Sequence, residues 1–87
     1  MARNIRIPKR VAFPFGYTVT IELVPPSNEN LLAESGYADG IWDPETRKIY
    51  INKKLSAYRR RRLVIHELAH ALNDCQHHLV DTGVIGD

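Results

Sequence analysis

The sequence has one cysteine in 87 residues, Cys75. A lone thiol excludes an internal disulfide framework and favours a reducing compartment. No uninterrupted apolar run approaches the ~20 residues that span a bilayer. The basic start MARNIRIPKR places Pro8, Lys9 and Arg10 where a secretion signal carries its apolar stretch. The expectation is a cytoplasmic protein with no membrane association. Aromatics are sparse, at 8%, with a single tryptophan, Trp42. The most telling scarcity is local: beyond Arg62 there is no lysine or arginine at all.

What is present is otherwise ordinary. Hydrophobic residues at 44% and charged residues at 25% describe a globular chain rather than a disordered one. The length suits one domain, 1–87, with a small core, because a chain this short buries only roughly 60–65% of its unfolded surface. The net charge of +2 is unevenly placed. Residues 1–62 hold all 12 Lys and Arg with six of the 10 acids, a formal +6. Residues 63–87 hold Glu67, Asp74, Asp81, Asp87 and all four histidines. A segment that gathers imidazoles and carboxylates while excluding fixed cations suits a metal ion, with which Lys and Arg compete electrostatically.

Patterning gives the elements. Residues 11–24 read as a strand, with Tyr17, Val19, Ile21 and Leu23 on one face and Thr18, Thr20 and Glu22 on the other. Pro25 and Pro26 end it, since proline cannot donate to a sheet ladder. Residues 27–35 fit a loop or one helical turn. A hairpin follows: strand 37–42, a turn over Asp43–Thr46, and strand 48–52, with Asp-Pro suited to a type I turn. Ile49 and Ile51 share one face; Tyr50 and Lys48 share the other. The stretch from Leu55 to about Cys75 reads as one long helix with Ser56 as N-cap. Strands followed by a helix predict an α+β domain with a small, mostly antiparallel sheet.

Within that helix lies His66-Glu67-Leu68-Ala69-His70, an HExxH sequence. Histidines four apart share a helix face about one turn apart, so both imidazoles can reach one ion. Glu67 can address a water on that ion; bound Zn²⁺ lowers the pKa of its water from 15.7 to about 7. At ~100° per residue the apolar Val64, Leu68, Ala71, Leu72 and Cys75 fall on one side, and His66, Glu67, His70 and Asp74 on the other. A histidine packed in the core belongs inside the apolar stripe, and neither of these is.

The segment RRLVIHELAHALND resembles the active-site helix of zincin metallopeptidases, particularly small intracellular ones of the SprT-like and ImmA/IrrE-like families. DGIWDPETRKIYIN resembles the hairpin whose edge strand lies beside the cleft in those families. The resemblance covers roughly residues 36–78 and implies a minimal zincin-like domain. It further implies a zinc-dependent hydrolase of the peptidase type, acting on a peptide or protein. His66 and His70 become Zn²⁺ ligands and Glu67 the general base. A third ligand is expected downstream of the helix. Asp74, ~12 Å along the axis from His66, suits a partner to an imidazole rather than a ligand. Asn73 can adopt the left-handed conformation that ends a helix, so the chain is expected to turn back between Asn73 and Gln76. His78 is then the leading candidate, with His77 and Asp81 as alternatives.

The arginine run Arg59–Arg62 points in four directions on a helix, so it reads as a solvated helix start with arginines pairing to nearby acids. A nucleic-acid surface built with Arg3, Arg6, Lys9, Arg10, Lys53 and Lys54 is the alternative. The rival to an enzyme is a non-catalytic, zinc-stabilised binding or regulatory module. Trp42 and Tyr50 are expected in the core or cleft wall, and Cys75 as a buried, inert thiol.

Overall fold

The computed structural model describes residues 6–83; Arg3 and Asp87, invoked above, lie outside them. It is an α+β fold in which a four-stranded sheet packs against one long C-terminal helix. The strands are β1 (Arg10–Ala12), β2 (Thr18–Val24), β5 (Gly40–Asp43) and β6 (Lys48–Asn52), in the spatial order β1-β2-β6-β5. β1–β2 and β5–β6 are antiparallel, and β2–β6 is parallel, with Ile21 opposite Ile49. A separate two-stranded ribbon joins β3 (Leu32–Ala33) to β4 (Gly36–Tyr37). The helix, α1, runs Ala57–Asp81.

The single strand expected over residues 11–24 is two strands. Pro14 opens a tight turn whose Phe15 and Gly16 have φ of 63° and 79°, reversing the chain into an antiparallel pair. Phe13 N–H donates to the Tyr17 carbonyl across it at 2.7 Å. From Tyr17 onward the expected alternation holds as far as Ile21. Tyr17, Val19, Ile21, Ile49 and Ile51 are buried on one face against Val64, Ala71, Cys75 and Leu79 of α1. Leu23, 45% exposed, falls outside that buried cluster. The other face is covered too. Residues 27–35, left open between loop and helical turn, form a 3-10 turn at Glu29–Leu31, which Asn28 caps, and then β3. That turn seats Leu31 on Val24 and Tyr50.

The hairpin forms, but its first strand is shorter than the expected 37–42: β5 begins at Gly40, because Tyr37 pairs with Leu32 in the β3–β4 ribbon instead. Asp43 Oδ1 accepts from the Glu45 amide at 3.0 Å and Oδ2 from the Thr46 hydroxyl at 2.9 Å, closing the turn. Gly40 allows β5 to lie close beneath the helix: a Cβ there meets Ile51 Cδ1 at 3.0 Å and Leu63 Cβ at 3.7 Å. Ser56 caps α1, its hydroxyl accepting from the Arg59 amide at 3.2 Å.

The C-terminal end of the helix departs from expectation. Asn73 stays helical, and α1 continues to Asp81, where Thr82 bonds back to the His78 carbonyl and Gly83, at φ 76°, takes the left-handed position. Packing explains the extension. Cys75 and Leu79 prolong the apolar stripe two further turns and are 1% and 5% exposed. Burying a leucine side chain stabilises by about 1.5–3 kcal/mol, more than a helix-ending asparagine offers. Among the described residues no helix is long and apolar enough to cross a membrane.

Candidate metal centre

The chemistry-bearing residues lie on α1. His66 and His70 stand one turn apart with ring centroids 5.0 Å from each other, edge to face at 79°. Both are exposed, the His66 side chain by 66%. Their nitrogens are free to take an ion approaching from solvent. Glu67 lies elsewhere than the wheel suggests. It is 8% exposed, in line with Val64, Ala71, Cys75 and Leu79 on the face turned to the sheet. The contact face of α1 is therefore rotated towards Glu67, and Ile65 and Leu72 emerge at 69% and 45% exposure. One carboxylate oxygen of Glu67 remains 4.0 Å from His66 Nε2. The carboxylate is thus held at the seam between the core and the histidine face.

The helix's continuation moves the remaining candidates away. On a continuous helix His77 stands about 10 Å along the axis from His70, and His78 and Asp81 stand further still. His78 also turns towards the sheet, its ring centroid 5.7 Å from that of Tyr17. Asp74 accepts a hydrogen bond from the Trp42 indole N–H at 2.5 Å rather than from an imidazole. Among the described residues no three His, Cys, Asp or Glu side chains gather as a metal-holding group. The donor set fits zinc in kind, two imidazoles on one face beside a carboxylate, and would fill two coordination positions of such an ion.

Two features escaped sequence reasoning. The Trp42–Asp74 bond ties the edge strand β5 to α1 one turn beyond His70; the available signal was that a half-buried indole N–H needs an acceptor. Tyr17 is 3% exposed, with the Arg47 guanidinium 4.0 Å from its ring centroid and Phe13 stacked at 6.0 Å. Burial raises its phenol pKa above the ordinary value, and the Arg47 charge opposes the rise.

The arginine run is largely employed locally. Arg59 pairs with Asp39 at 3.1 Å, Arg60 donates to the Lys53 carbonyl at 3.0 Å, and Arg62 reaches the Tyr58 hydroxyl at 3.3 Å. Cys75 is buried, as expected. In comparisons with known proteins, the family model Peptidase M78, the IrrE N-terminal-like domain, matches residues 24–80. No curated protein and no solved structure matches the chain.

Proposed function

Because the chain belongs to the IrrE N-terminal-like domain family, a metallopeptidase-like or regulatory family, we propose that it is a zinc-dependent hydrolase acting on peptide bonds. The observation that carries this reading is the pair His66 and His70, open to solvent on one helix face, with the Glu67 carboxylate 4.0 Å from His66 Nε2. His66 and His70 would hold Zn²⁺. When bound, the ion supplies Lewis acidity towards a carbonyl and acidifies water.

The chain's own residues do the rest. Glu67 takes the proton from the attacking water and passes it to the leaving amine nitrogen. Its place one turn from Val64 and Ala71 on the buried face limits its motion. A general base gains from being held in one geometry throughout the reaction. The Trp42–Asp74 bond fixes β5 beside the same stretch of helix, so an extended peptide there would meet a strand edge of settled position.

A second reading, a non-catalytic zinc-binding or regulatory module, draws on the continuity of α1, which leaves two donors rather than three beside the ion. Glu67→Gln separates the two. On the hydrolytic reading the zinc-loaded wild type cleaves a fluorogenic peptide library, and the variant binds zinc equally but loses activity by at least about 100-fold, as removal of a general base does. Equal cleavage by both forms, or none by either with zinc bound, defeats the hydrolytic reading.

A further inference from the structure

The unbroken helix creates an arrangement that a turn at Asn73 would have destroyed. His66 and His70 are spaced i, i+4, and the same spacing recurs eleven residues further on, at His77 and Asp81. Eleven residues amount to three turns plus about 20°, so the two donor pairs lie on one stripe, about 16 Å apart along the axis. All four side chains are exposed. Between the pairs the stripe carries Asn73, also exposed, and along its edge Asp74, turned to Trp42. No lysine or arginine occurs after Arg62 to compete with a cation.

We propose that two copies of this chain pair through this stripe, antiparallel, with one zinc ion held at each end of the crossing. The proposal rests on the zinc reading above. A two-fold axis beside Asn73 and Asp74 sets His77 of one copy opposite His70 of the other, and Asp81 opposite His66. Each ion then receives His66 and His70 from one copy, and His77 and Asp81 from its mate. Three imidazoles and one carboxylate form a closed, four-coordinate zinc site. The interface is isologous, so one pairing generates two identical sites and closes the assembly at two chains. Four protein donors leave no position for water, so the paired form is the inactive one; hydrolysis belongs to the separated chain, and the peptide-cleavage test of the hydrolytic reading is made at chain concentrations dilute enough that the zinc-loaded protein sediments at the chain mass.

Sedimentation velocity with zinc analysis tests this on the whole chain. With zinc chloride added, the wild type is expected at twice the chain mass with one zinc per chain, and at the chain mass in EDTA. His66→Ala/His70→Ala and His77→Ala/Asp81→Ala should each stay at the chain mass with zinc, with unchanged helical circular dichroism because all four positions are exposed. Mixed in equal amounts, the two variants should form a dimer with one zinc per pair, since only one end of the crossing is then intact. Zinc bound by a wild type that stays at the chain mass overturns the pairing and leaves the zinc reading standing. No zinc uptake overturns both. A wild-type dimer with no complementation between the variants overturns this register.

Discussion

Replacing Trp42 by phenylalanine removes the indole donor that ties the edge strand β5 to α1 and leaves a part-buried carboxylate on Asp74 without that partner. A hydrogen bond to a charged group contributes about 1.5–3 kcal/mol; partial exposure places this one at the lower end. The smaller ring also gives up about 1 kcal/mol of apolar burial. The expected cost is about 2–3 kcal/mol, against a total stability of about 4–13 kcal/mol for a domain of this size. The melting temperature should fall by roughly 10–20 °C. Urea unfolding followed by circular dichroism measures the loss, with an unchanged m-value as the sign of two-state behaviour. Size alone does not prove the cause, so the decisive quantity is the double-mutant cycle with Asp74→Ala. Coupling of about 1–2 kcal/mol is expected if the indole and the carboxylate act on each other; coupling within ~0.5 kcal/mol of zero is additive behaviour and refutes the argument.

Two further outcomes follow from the helix and from the buried phenol. Leu79→Ala should cost about 2–4 kcal/mol in urea unfolding and Leu72→Ala, at 45% exposure, less than about 1.5; equal costs would mean that α1 does not meet the sheet through the face described. Burial raises the Tyr17 pKa, so on going above about pH 10 the unfolded phenol ionises first and stability falls as pH climbs towards the folded value. Tyr17→Phe should flatten that alkaline decline in unfolding midpoints between about pH 9 and 11, and an unchanged slope would assign it to other groups.

Much of this architecture is legible in the sequence because local pattern and tertiary packing agree. Asp43-Pro44 closes a hairpin, Ser56 opens a helix, and Ile49 and Ile51 face the core, each for the reason its residue type suggests. The failures share a cause: long-range packing that no local signal encodes. Alternation over residues 11–24 is blind to the reversal at Phe15 and Gly16, because both arms keep the same period. Asn73 is competent to end a helix, yet Leu79, six residues later, gains more by staying helical against the sheet. The helical spacing grouped Val64, Ala71 and Cys75 correctly, but the sheet meets α1 through an arc that includes Glu67 and leaves out Leu72. For the candidate site, the motif showed the pair His66 and His70. The donors expected to join them depended on a turn that the chain does not make, and the tie between Trp42 and Asp74 spans 32 residues that periodicity cannot bridge.

The central claim is that His66 and His70 hold zinc. Isothermal titration of the metal-free wild type with zinc, set beside His66→Ala/His70→Ala at matched helical content, tests it most directly. One zinc per wild-type chain and loss of that binding in the variant are the expected results. Zinc uptake of equal stoichiometry and affinity by the two proteins would contradict it.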